Sequence, residues 1–133
     1  EHHDSREGII KATRDVTAQS KKIIFSLQRV KQLNKDAPPH IQQDIDTRLE
    51  EISKRLNGVA PDLQSINRYR YTSPPRCLDE FVEALSFANY LRHQTLITPE
   101  ESQAAMPADL ALTPHDYMYG VLDLFGELMR FAT

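Results

Sequence analysis

Apolar positions recur along this chain with the spacing of helices, and no long segment alternates with the period of a strand. Ile9, Thr13, Val16, Ser20, Ile23, Leu27 and Val30 follow one another at intervals of 4-3-4-3-4-3. Such a heptad-like seam, widened by Ile10 and Ile24, predicts a first helix over about residues 5–31. Asp36-Ala37-Pro38-Pro39 breaks it. Ile41, Ile45, Leu49, Ile52, Leu56, Val59 and Leu63 then predict a second helix over about 40–64, which Pro61 kinks or stops. A third is expected over about 76–95, with Leu78, Phe81, Val82, Ala84, Leu85, Phe87, Ala88 and Leu91 as its apolar arc. Thr98-Pro99-Glu100-Glu101 carries the signs of a capping box with proline at the first helical position, and Met106-Pro107 keeps the helix it starts short. Thr113-Pro114-His115-Asp116 repeats the pattern and opens a last helix over about 113–131. Its apolar arc contains Tyr117, Met118, Val121, Leu122, Leu124, Phe125, Leu128 and Met129. The expected fold is all-α, an antiparallel helical bundle, with residues 1–133 forming one domain.

Two helices carry polar residues where the pattern does not call for them. Glu80 falls inside the apolar arc of the third helix and Glu83 at its edge, about 60° apart, so both can aim at one point. An ionised carboxylate facing a core is costly unless it is paired, protonated or bound to a cation. On the last helix Asp123 and Glu127 lie four residues apart, with Asp116 two turns earlier on the same stripe. If the two helices pack, four or five carboxylates share a small space, and their repulsion is relieved by a hard divalent cation, Mg²⁺ or Mn²⁺. The competing readings are a solvated polar face for Asp123 and Glu127, simple capping for Asp116, and a structural ion pair with Arg92 or Arg130 for Glu80. Gly120 and Gly126 beside the acidic stripe suggest a close approach there, because a mid-helix glycine costs about 1 kcal/mol relative to alanine.

Composition adds bounds. The 133 residues are 40% hydrophobic and 26% charged, ordinary for one folded domain. The net charge of −3 does not advertise nucleic-acid binding, although Lys11, Arg14, Lys21, Lys22, Arg29 and Lys31 give the first helix a basic face. That face reads as solvated first and as an attractor of polyanions second. Arg68, Arg70, Tyr71 and Arg76 form a segment able either to hold phosphates and stack bases or to lie over a neighbouring helix. The lone Cys77 excludes an internal disulfide. No apolar run reaches the roughly 20 residues of a membrane span, and no nucleotide-binding glycine loop, zinc spacing or catalytic-triad cue is present.

Three blocks resemble the Trax branch of the translin family: Glu1 to Val16 continuing to Phe25; Glu80-Phe81-Val82-Glu83-Ala84-Leu85-Ser86-Phe87 with Leu96-Ile97; and Asp116-Tyr117, Gly120-Val121, Asp123-Leu124, Gly126 to Arg130. Glu80-x-x-Glu83 sets the resemblance apart from the translin branch. It implies a translin-type helical bundle and a translin partner, joined in a closed hetero-octamer located in the cytoplasm and nucleus. It implies Mg²⁺-dependent endoribonuclease activity on single-stranded RNA, including passenger strands in RNA silencing and transfer-RNA precursor fragments. Single-stranded DNA is a further candidate ligand. The family's catalytic and metal-binding acids fall on Glu80, Glu83, Asp123 and Glu127. The alternative is a non-catalytic helical scaffold or regulatory partner of translin. The family pattern continues with further helices past Thr133, so the chain is expected to be a C-terminally truncated form, and Glu101–Leu112 is expected to be shorter than in relatives.

Overall fold

The computed structural model describes residues 2–30, 38–69, 77–108 and 110–132, with side chains for 7–30, 38–61, 78–108 and 110–129. Five helices are formed: α1 His2–Gln28, α2 Pro39–Tyr69, α3 Cys77–His93, α4 Pro99–Ala104 and α5 Pro114–Ala132. No strand occurs among the described residues. The α1 seam points inward as its spacing requires. Ile9, Val16, Ile23, Leu27 and Val30 are all buried, and they meet Ile41, Ile45, Ile52, Leu56 and Ala60 of α2. Polar pairs along this contact run in opposite directions on the two helices. Ser26 Oγ donates to Asp44 Oδ2 (3.0 Å), Arg48 donates to Gln19 Oε1 (2.8 Å), and Arg55 pairs with Asp15 (3.1 Å), so α1 and α2 are antiparallel. Burial pushes the Asp44 carboxyl up. The hydrogen bonds from Arg48 and Ser26 and the charges of Arg48 and Arg29 outweigh it and leave the group below its usual range.

Helix α1 packs on α2 with one face and on α3 with another, while α3 also packs on α5. Being covered from two sides, α3 is buried around most of its circumference: Leu78, Phe81, Val82, Ala84, Phe87 and Leu91 join the core, and Asp79, Glu83 and Ser86 are buried too. A helix in this position carries no wholly solvated stripe on which to place its acids.

Some boundaries differ from the sequence expectation for identifiable reasons. Helix α1 ends at Gln28, where Arg29 and Val30 donate to Ser26 O and Leu27 O and tighten the last turn. Helix α2 runs on through Pro61 to Tyr69. Pro61 and Asn57, the residue whose carbonyl loses its donor, are both exposed, so the missing helical bond falls on the solvent side of α2. Helix α3 stops at His93, followed by Gln94 in the left-handed region at φ 55°. The capping box predicted before α4 is complete: Thr98 Oγ1 accepts from Glu101 N–H, and Thr98 N–H donates to Glu101 Oε1. Gln103 then bridges the loop to α5, donating to Leu110 O and accepting from Leu112 N–H.

Helix α5 is rotated relative to a simple amphipathic reading. Gly120, Leu124 and Glu127 are buried and Tyr117 and Leu128 of the expected apolar arc pack against the core, whereas Met118, Leu122, Phe125 and Met129 of that arc are exposed. The turn of the helix is set by Gly120. A Cβ there would stand 2.5 Å from Val82 Cγ1 and 2.8 Å from Asp79 O, so only glycine lets α5 lie this close to α3. Gly126 has open space at the same position and marks no close approach, contrary to the sequence expectation.

Candidate functional site

With α5 seated on α3 through Gly120, its acidic stripe turns toward the acids of α3. A cleft of about 500 Å³ opens between α1, α3 and α5, lined by Lys21, Ile24, Phe25 and Gln28, by Asp79, Glu80 and Glu83, and by Asp123 and Glu127. The four acids singled out from the sequence therefore line one cleft. Asp79, which the sequence reading passed over, supplies a fifth carboxylate from the first turn of α3. Its signal was present: it precedes Glu80 and stands four residues before Glu83, hence on the same side of the helix. Asp116 takes no part. Its Oδ2 accepts from Thr113 N–H and Oγ1, and Thr113 Oγ1 accepts from Asp116 N–H, so it is committed to the α5 cap.

The acids differ in environment. Asp79, Glu83 and Glu127 are buried, Glu80 is half-buried and Asp123 is exposed. The wheel placed Glu80 deeper than Glu83; the order is the reverse because α5 covers the edge on which Glu83 lies. Burial first, and then the charges of Asp123, Glu127, Glu80 and Asp79, together raise the Glu83 pKa from 4.5 to about 7. Four neighbouring acids thus act on one carboxyl and hold it near half-protonation at neutral pH. Glu127 is fixed from across the cleft: Gln28 Nε2 of α1 donates to its Oε2 at 2.5 Å.

The donor set is all oxygen, and the mutual repulsion of its carboxylates, which raises the Glu83 pKa, is what a bound cation would relieve. Both features suit a hard divalent cation. The side chains are not gathered into a finished coordination shell: no group of three or more His, Cys, Asp or Glu among the described residues is placed to hold a metal ion. Of the sequence-predicted nucleic-acid contacts, Arg70, Tyr71 and Arg76 lie outside the described residues. Arg68 lies on α2, with its side chain outside the described ones. No described helix is long and apolar enough to cross a membrane.

Comparison with known proteins covers nearly the whole chain. It is 32% identical over 157 aligned positions to translin-associated protein X of Rattus norvegicus, which takes in 98% of this chain and 53% of the rat protein. It is 33% identical over 135 positions to the translin-associated protein X homolog of Schizosaccharomyces pombe, covering 98% of this chain and 55% of that protein. The chain therefore spans about half the length of the curated relatives it matches. The 157 aligned positions exceed the 133 residues here, so the rat protein carries residues within the aligned region that this chain lacks. The solved structure described as apo-NeC3PO superposes with a TM-score of 0.71 at 20% identity, covering 98% of this chain and 60% of that one, and so shares the fold. A profile described as "Translin family" matches residues 4–133, and the chain belongs to the translin family.

Proposed function

We propose that the chain is the catalytic subunit of a translin-containing assembly and cuts single-stranded RNA with a divalent cation held in the α3–α5 cleft. The observation that carries this reading is the convergence of Asp79, Glu80, Glu83, Asp123 and Glu127 on one cleft, where burial and the charges of the other four acids lift Glu83 to about 7. Acids that perturb one another in a concave site are a common mark of catalysis. The names of the relatives support the family part of the proposal; the reaction rests on the cleft.

In this reading Glu80, Glu83 and Asp123 would hold Mg²⁺, or Mn²⁺ in its place, with Glu127 completing or orienting the set. The ion supplies an acidified, positioned water and offsets charge on the phosphodiester. Glu83 has a task of its own. Its carboxyl must give up a proton before its oxygens can act as ligands or accept a proton from water, so ligand binding at the cleft releases a proton near neutral pH. Gln28 keeps the Glu127 carboxylate aimed across the cleft rather than along α5. Lys21 at the rim gives an approaching phosphate a positive group to meet before the acids repel it.

The exposed apolar residues of α5, Met118, Leu122, Phe125 and Met129, support a protein partner, since monomers rarely expose a stripe of that kind. The absence of three acids already placed as ligands, among the described residues, favours a second reading: a scaffold subunit whose protonated Glu83 is structural. Purified chain mixed with translin and end-labelled single-stranded RNA separates the two. The catalytic reading expects cleavage with Mg²⁺, none with EDTA, and none by Asp123→Asn in an assembly of unchanged size. Equal cleavage by parent and variant would establish the scaffold.

A further inference from the structure

The cleft is strongly acidic, so a polyanionic strand needs a cationic approach to it. The outer face of α1 offers one. Arg14, Lys21 and Gln28 stand seven residues apart from each other on α1, hence on one stripe, about 10.5 Å from one to the next. The stripe ends inside the cleft, where Lys21 and Gln28 are lining residues and Gln28 holds Glu127. Arg14 and Lys21 are exposed, and neither is engaged in an ion pair among the described residues. Between Lys21 and Gln28 lies Phe25, a lining residue with 67% of its surface exposed. Such exposure of an aromatic ring is unusual on a helix whose seam already buries Ile23, Ile24 and Leu27.

We propose that Arg14, Lys21 and Phe25 form a binding track for single-stranded RNA on α1, the two cations meeting successive parts of the phosphate backbone and the Phe25 ring stacking on a base at the lip of the cleft. The location of the track takes its meaning from the endoribonuclease reading. Its chemistry does not depend on that reading. A stacking aromatic flanked by cations is how single strands are held without regard to sequence. The segment Arg68–Arg76, which has the same chemistry in the sequence, is not needed for it. Two exposed cations in line with an exposed ring match a polyanionic strand better than they match an apolar protein face, and for that reason the nucleic acid is favoured.

The test is binding rather than cutting. A 5′-fluorescein oligouridylate of twelve nucleotides is titrated by anisotropy in EDTA, with the full chain alone and after mixing with translin. Phe25→Ala is expected to weaken binding about fivefold or more, the loss of one stacked base. Lys21→Ala and Arg14→Ala should each flatten the dependence of log K on log salt by about 0.7. Lys54→Ala, on the exposed side of α2, should leave both unchanged. Circular dichroism confirms that each variant is folded. No binding by the parent in either form, or equal binding by parent and Phe25→Ala, overturns the track. So does Phe25→Ala that binds the strand normally but no longer assembles with translin, which would make α1 a protein interface. Because EDTA removes any metal-dependent cleavage, a loss of binding with no cutting by the parent in Mg²⁺ would keep the track and refute the endoribonuclease reading. Normal binding by the variants with metal-dependent cutting would do the reverse.

Discussion

Replacing Glu83 with glutamine is expected to stabilise the metal-free chain, and to do so only above mildly acidic pH. Glu83 is buried among four other carboxylates, and its pKa rises from 4.5 to about 7. At 1.36 kcal/mol for each tenfold change in proton affinity, that rise corresponds to about 3 kcal/mol of folded-state preference for the protonated acid. Water in the open cleft screens part of it, so about 1–3 kcal/mol is expected to be measurable. The sign follows from proton uptake. Between pH 4.5 and 7 the folded chain holds a proton that the unfolded chain has lost, so stability falls as pH rises through this window. Below 4.5 the group is protonated in both states and contributes no such penalty; above 7 it is ionised in both and the full penalty applies. Glutamine carries no charge at any pH and keeps a similar shape. Urea unfolding followed by helical circular dichroism, in EDTA at pH 4.5, 6 and 8, gives the difference directly. The gap in favour of Glu83→Gln should open across that range. A gap of the same size at all three values, or a variant less stable than the parent at pH 8, would refute the claim that the acids act on one another through Glu83.

Three further outcomes follow from the packing around the cleft. Gly120→Ala places a methyl group against Val82 and the Asp79 carbonyl, so it should destabilise the chain by about 1–3 kcal/mol and, by moving α5 off α3, lower RNA cleavage in Mg²⁺; a melting curve and the cleavage assay read the two effects. Gln28→Ala removes the donor to buried Glu127 and should cost about 1–3 kcal/mol in thermal or urea unfolding while the Mg²⁺ concentration for half-maximal cleavage shifts. Leu122→Asp on the exposed face of α5 should leave helical content unchanged and abolish assembly with translin on a sizing column.

How far the sequence determined this picture depends on the element. The heptad seam of α1 and the period of α2 bury the residues their spacing names, because each helix has one dominant face to hide. The N-terminal signals at Thr98 and Thr113 are local chemistry and appear as their residue types require. Helix α5 is legible in part. Tyr117, Leu124 and Leu128 of its apolar arc meet the core, but how far the helix is rotated about its axis depends on the close contact between Gly120 and Val82, and no pattern within α5 contains Val82. The same contact explains the site. Glu80 and Glu83 announced themselves as polar residues in or beside an apolar arc, whereas Asp79 gave only the weaker signal of its spacing to Glu83, because the burial of α3 from two sides is a property of the bundle and not of the helix. Gln28 is legible only in three dimensions: its partner, Glu127, lies 99 residues away in the chain.

The central claim is that the acids of α3 and α5 form one divalent-cation site. Titration of the chain with Mn²⁺ at pH 7.5, followed by the paramagnetic resonance signal of the free ion, addresses it most directly. The parent is expected to take up Mn²⁺ saturably, with Mg²⁺ competing, and Glu83→Gln to bind at least about tenfold more weakly. Equal uptake by the two proteins, or none by the parent, would contradict the claim and leave the cleft as a structural cluster held together by the proton on Glu83.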